Sequence, residues 1–105
     1  MDNIRKFYGD TIIKIDNDKE DKCNQFKVEY YQLQDLTVEN QKSKFGIEII
    51  KKTNLPKGKI LEKAIFTNLT STEAEISQIL CLMHKNEVTP IAVEDILKDL
   101  KKIEW

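Results

Sequence analysis

Near Thr70 the spacing of apolar residues changes period, and that change constrains the fold more than any other feature of the chain. Before it, apolar residues recur at every second position. Phe26, Val28 and Tyr30 alternate with Lys27, Glu29 and Tyr31, and Phe45, Ile47 and Ile49 alternate with Glu48 and Lys52. A period of two sends successive side chains to opposite faces of a sheet, so each run predicts a strand with one buried face. After Thr70, Ile76, Ile79, Leu80 and Met83 fall at i, i+3, i+4 and i+7, one stripe of an amphipathic helix.

The remaining strands are read around these two. Residues 11–15 (TIIKI) are β-branched enough for a short strand at a sheet edge, whereas residues 1–10 carry no period and are expected as irregular chain or a covering arm. Residues 16–22 (DNDKEDK) are a charged break that predicts a solvated loop. Leu33, Leu36 and Val38 disturb the alternation that starts at Gln25, which predicts a bulge near Gln34 and Asp35. A turn at 39–42 and a strand over 43–53 follow, with Ile50 as the apolar exception on the otherwise polar face. Leu55-Pro56-Lys57-Gly58 suits a type I turn, since proline presets the backbone at its second position. A further strand over 59 to about 68 carries Ile60, Leu61, Ala64, Ile65 and Phe66 on both faces.

The helices are bounded by capping chemistry. Thr70 with Glu73 three residues later has the form of a capping box, in which the Thr side chain stabilises the first turn by about 1 kcal/mol. Lys85-Asn86 closes this helix, the cation near its negative pole and the asparagine in a left-handed cap. Thr89-Pro90 opens the second, where a missing N–H costs no hydrogen bond. Ile91, Val93, Ile96, Leu97, Leu100 and Ile103 form its expected buried stripe, with Glu94 placed to pair with Lys98 outside. The chain of 105 residues therefore reads as one α+β domain. An antiparallel meander of three to four strands over 11–69 is followed by a helical hairpin over 70–104 packed on one face.

Charge excludes some partners. Seventeen basic side chains against eighteen acidic leave a formal charge of -1, which supplies no field to draw the chain to nucleic acid or to anionic lipid. No apolar run approaches the roughly 20 residues of a membrane span, and the N-terminus leads into no signal-like stretch, so a cytoplasmic protein is expected. Cys23 and Cys81 share no metal or redox spacing and are expected as thiols, with Cys81 in the core.

No catalytic or metal-binding constellation emerges. The one histidine, His84, falls near a helix end where imidazole suits the dipole. Asp16, Asp18 and Glu20 mimic the start of a calcium loop, but Asp21 stands where glycine is needed and Lys27 where the bidentate glutamate belongs. The three glycines, Gly9, Gly46 and Gly58, open no helix, so no phosphate loop forms. Asn68-Leu69-Thr70 has the form of a glycosylation sequon, but without secretion it is more simply the helix entry. The two helices have the spacing of a helix-turn-helix, yet Glu94 and Asp95 occupy the first turn of the would-be recognition helix, where base and phosphate contacts call for Arg, Lys or Asn.

Three stretches, VEYYQL at 28–33, FGIEIIKK at 45–52 and NEVTPIAVEDILKDL at 86–100, resemble a family of short uncharacterised proteins from spore-forming, anaerobic Gram-positive bacteria. The resemblance covers most of the chain from Gln25 onward and implies a stand-alone bacterial domain. It implies no activity, cofactor or ligand.

What remains are surfaces. Tyr30 and Tyr31 are adjacent on a strand, so one ring faces away from the other, and Ile50 and part of the next strand's apolar set also point away from the helices. The candidate interaction surface is Tyr30, Tyr31, Ile50, Phe66 and Trp105. Ile4, Phe7 and Tyr8 are expected to fold over the second face; otherwise a second copy or a partner protein covers it. Two functions follow as expectations. The first is a non-catalytic regulatory or adaptor domain acting by protein–protein interaction. The alternative is a small-molecule sensor or minor enzyme with a pocket between sheet and helices, to which Tyr31, Glu48 or Asn86 contribute polar contacts.

Overall fold

Alternation does give strands, and the computed structural model describes residues 3–14, 25–36, 45–53 and 58–103. Four strands, β1 (Asn3–Lys14), β2 (Gln25–Asp35), β3 (Phe45–Thr53) and β4 (Ile60–Thr70), precede two helices, α1 (Glu73–Lys85) and α2 (Pro90–Ile103). The sheet is an antiparallel meander of order β1-β2-β3-β4, and both helices pack against it. The loop expected at 16–22, the turn at 39–42 and most of that at 55–58 lie outside the described residues. So do Cys23, Val38 and Trp105.

The N-terminal segment departs from expectation. It is neither irregular nor a covering arm: β1 begins at Asn3 and runs for 12 residues as an edge strand against β2, from Asn3 opposite Asp35 to Lys14 opposite Gln25. Its alternation is hidden by a bulge, because Tyr8 is inserted between the Phe7–Tyr31 and Gly9–Tyr30 pairs and shifts the phase. The bulge expected near Gln34 is absent from β2, which pairs with β3 without a register break out to Gln34 opposite Phe45.

Two further register shifts lie between β3 and β4. At one of them β4 crowds β3 so closely that a Cβ on Gly46 would overlap the Phe66 carbonyl oxygen and lie 2.8 Å from the Thr67 Cα. Glycine is required there by space. Asn68, in the same bulge, takes a left-handed backbone with φ 57°, which asparagine tolerates better than most residues.

The core lies between one sheet face and the helices. Val28, Tyr30, Ile47 and Ile49 meet Ile76, Leu80, Met83 and Val93, all with no solvent exposure. The expected stripe of α1 is buried in full. In α2, Val93 and Leu97 are buried but Ile91 is exposed, because two residues turn a helix by about 200° and place Ile91 opposite Val93. Cys81 is also exposed rather than in the core; it follows Leu80 by about 100°, outside the stripe.

The helix ends differ in detail from the expected caps. The N-cap of α1 is Thr72, whose Oγ1 accepts from the Glu75 N–H at 3.2 Å and donates to the Glu75 carboxylate at 3.1 Å. Thr70 instead ends β4, buried, and donates to the Thr72 carbonyl at 3.0 Å. At the other end the left-handed residue is Glu87, φ 53°, and not Asn86. The Val88 N–H reaches the Met83 carbonyl and the Glu87 N–H reaches that of His84, the paired bonds of a Schellman motif.

Candidate interaction surface

The antiparallel register decides which side chains share the face away from the helices. Phe7 lies opposite Tyr31, Tyr31 opposite Glu48, and Glu48 opposite Ile65. One pair further along, Asp10, Glu29, Ile50 and Lys63 form the next row. No other described element packs on this face; its own long side chains cover it. Two carboxylates lie at the bottom of that cover. Glu48 is held by the Arg5 Nε and, at 3.5 Å, by the Lys63 ammonium. Glu29 is held by Lys52 at 3.1 Å and Lys27 at 3.7 Å, and accepts a hydrogen bond from the Tyr31 hydroxyl at 3.0 Å.

Tyr31 joins the two carboxylate clusters. Its ring lies 3.7 Å beneath the Arg5 guanidinium and packs edge-on against Phe7. The titration of the face follows from these contacts. Burial pushes the Glu29 carboxyl up, but the hydrogen bonds from Lys52 and Tyr31 and the charges of Lys52 and Lys27 outweigh it and hold Glu29 below its ordinary value. The bond to Glu48 raises Arg5. Burial, then the bond to Glu29, raises Tyr31.

The five residues expected to form one interaction surface do not come together. Tyr31 and Ile50 share the outer face, where Ile50 is buried beneath the charged layer. Tyr30 points the other way into the core, and its hydroxyl donates to the Val88 carbonyl at 2.8 Å. Burial, with the nearby Glu87 charge, raises its phenol far above the ordinary value. Phe66 is partly buried on the helix side, and Trp105 lies outside the described residues. Ile4, Phe7 and Tyr8 extend the sheet instead of crossing it, and all three are exposed.

Arg5 and Lys63 are the surface residues that sequence reading passed over. Glu29, Glu48 and Lys52 had marked only the polar positions between the buried ones. The signal available was the alternation of sign along it, Lys27 then Glu29 and Glu48 then Lys52, which pairs only once the register is known.

Residues 10–102 match a family of unknown function, DUF6514. The chain belongs to that family. The match starts at Asp10, inside β1, so it includes residues upstream of Gln25 that contributed nothing to the resemblance seen in sequence. No curated protein and no solved structure matches the DUF6514 chain. No helix among its described residues is long and apolar enough to cross a membrane.

The helix side of the DUF6514 chain holds a cleft of about 210 Å³ lined by Phe66, Leu69, Glu94, Leu97 and Lys98. Tyr31 and Glu48, expected as polar contacts in a pocket between sheet and helices, lie on the opposite face. Asn86 is engaged at the end of α1, where its side-chain amide donates to the Leu82 carbonyl at 2.9 Å. His84, set aside in sequence as a helix-end residue, latches α1 to β1. Its Nε2 donates to the Asp10 carbonyl at 2.7 Å and its ring packs edge-on against Tyr30 and Tyr8. Gly9 lies against this ring, where a Cβ would meet Nε2 at 3.4 Å, an ordinary van der Waals contact.

Proposed function

We propose that this chain is a non-catalytic regulatory or adaptor domain that binds another protein, or a second copy of itself, through the outer face of its sheet. The observation that carries this reading is a four-stranded face with no described element packed on it, whose apolar residues Phe7, Ile12 and Ile65 stand about half exposed. Exposed apolar groups set among charged ones on a face without a packed element support a docking role. The sensor or enzyme reading has less support, because among the described residues the cleft beside α2, at about 210 Å³, is smaller than the roughly 300 to 1,000 Å³ of typical small-molecule sites. A cytoplasmic setting and an origin in spore-forming anaerobic Gram-positive bacteria belong to the same proposal and rest on sequence resemblance and charge.

Site-specific photocrosslinking in the native host tests it. A benzophenone side chain at position 65, on the outer face, is expected to give a discrete crosslinked protein product, while one at position 91, on the exposed side of α2, gives none. Equal labelling from both positions, or none from position 65, would sink the proposal.

A further inference from the structure

Charge on the outer face is layered. The side chains of Glu29 and Glu48 are only 11% and 6% exposed, whereas those of Arg5 and Lys63 above them are 49% and 46% exposed. Lys27 and Lys52 are also more open than the glutamate they share. Asp10 is the open acid in these clusters, and Lys27 already engages it. Acids inside and bases outside mean that an approaching molecule meets cations first, each with N–H donors left over beyond its one or two carboxylate partners. Beside them stand Phe7, Ile12 and Ile65.

From this layering we infer that the face takes an acidic, amphipathic protein segment, one whose Asp and Glu side chains alternate with aliphatic or aromatic ones. The inference rests on the interaction reading above and names the partner's chemistry. A second copy fits poorly, since a two-fold apposition of this face sets its outer cations against one another, and like charges across an interface are costly. Nucleic acid fits poorly too. The Tyr31 ring already lies under Arg5 with Phe7 edge-on beside it, so Tyr31 offers no open face for a base to stack on, and a chain of net charge -1 offers little attraction to a polyanion. Size is consistent with a regulated, reversible contact. Four strands spaced about 4.8 Å apart and nine residues of β3 at about 3.4 Å each span roughly 600 Å², the low end for a specific interface.

The test is selection of random peptides displayed on phage against the full chain, followed by fluorescence anisotropy with the most enriched synthetic peptide. Recovered peptides are expected to interleave Asp or Glu with Leu, Ile or Phe. Replacing their acids by Asn and Gln is expected to weaken binding on the order of tenfold or more, as is adding salt. The double variant Lys52→Gln/Lys63→Gln and, independently, Ile65→Ser are each expected to weaken it, with circular dichroism showing both folded. Ile91→Ser is expected to leave it unchanged.

Recovery of acid-free peptides that still lose binding on Ile65→Ser overturns the acidic partner and leaves an interaction face standing. An empty selection, or binding indifferent to every outer-face variant, overturns the inference, and failed crosslinking from position 65 then removes the interaction reading as well. Tighter binding of a labelled oligo-dT, abolished by the lysine variants, overturns it in favour of nucleic acid. A concentration-dependent dimer in sedimentation equilibrium, dissociated by Ile65→Ser, overturns it in favour of self-association.

Discussion

Gly46 of β3 lies directly against the Phe66 carbonyl of β4, at a point where the two strands lose register and no Cβ fits. The neighbouring atoms are backbone and cannot swing aside as a flexible side chain does. Gly46→Ala is therefore expected to destabilise the fold by about 3 kcal/mol, the upper part of the range for overpacking. Urea unfolding checks it through a lower midpoint, and an unchanged midpoint means that β4 is not held in this bulge.

Glu29 is the group whose environment predicts a pH response. Its folded pKa lies below the ordinary value of 4.5, so folding favours the ionised form. The stability this contributes is fully present above the unfolded pKa and is lost as pH falls through the folded one. Unfolding free energy is expected to drop between about pH 6 and pH 3, and the Glu29→Gln protein to drop less over the same window. Parallel pH profiles for the two proteins would show that Lys52 and Tyr31 do not hold the carboxylate in solution.

Thr70 and Thr72 are two residues apart and respond differently to substitution. Thr72 caps α1, so Thr72→Ala is expected to cost about 1 kcal/mol while Thr72→Asp, another good cap, costs little. Thr70 is buried at the end of β4, so Thr70→Asp puts a charge where water is excluded and is expected to cost about 2 kcal/mol or more. Thermal melts of the three variants separate the positions, and tolerance of Asp at position 70 would contradict the assignment of the cap.

Glu87 occupies the left-handed position of the Schellman motif that glycine usually fills. Its one visible compensation is the hydrogen bond its carboxylate accepts from the Thr11 hydroxyl at 3.0 Å, at an exposed site. Relief of backbone strain outweighs loss of that bond, so Glu87→Gly is expected to stabilise by about 0.5 kcal/mol, or roughly 2 to 4 °C in Tm. A lower Tm would mean that the Thr11 bond ties β1 to the helix turn more tightly than its exposure suggests.

The legible parts of this fold were those whose pattern is local. Phe26 to Tyr30 and Phe45 to Ile49 announced strands because each is buried on the helix side along most of its length, and Ile76 to Met83 announced a helix for the equivalent reason. β1 stayed hidden because Tyr8 breaks its phase in the middle and because an edge strand needs no regular apolar pattern. The second face stayed hidden for a different reason. Burial of Glu48 depends on Arg5 and Lys63, which lie 43 residues before it in one case and on the next strand in the other, so it follows from register and not from spacing along the chain. Tyr30 and Tyr31 carried the right idea, that adjacent rings must part, but which of them turned inward was decided by the packing of α1 and α2.

The meander order carries a consequence for how the chain is made. Each strand pairs only with its neighbours in sequence, so successive hairpins can close as they leave the ribosome. The helices come last. Until residues 73–103 have been synthesised, Val28, Tyr30, Ile47 and Ile49 line a sticky open sheet with nothing to shelter them. Nascent chains stalled before α1 are thus the species most prone to aggregate, and the helical hairpin serves as the lid that ends that exposure.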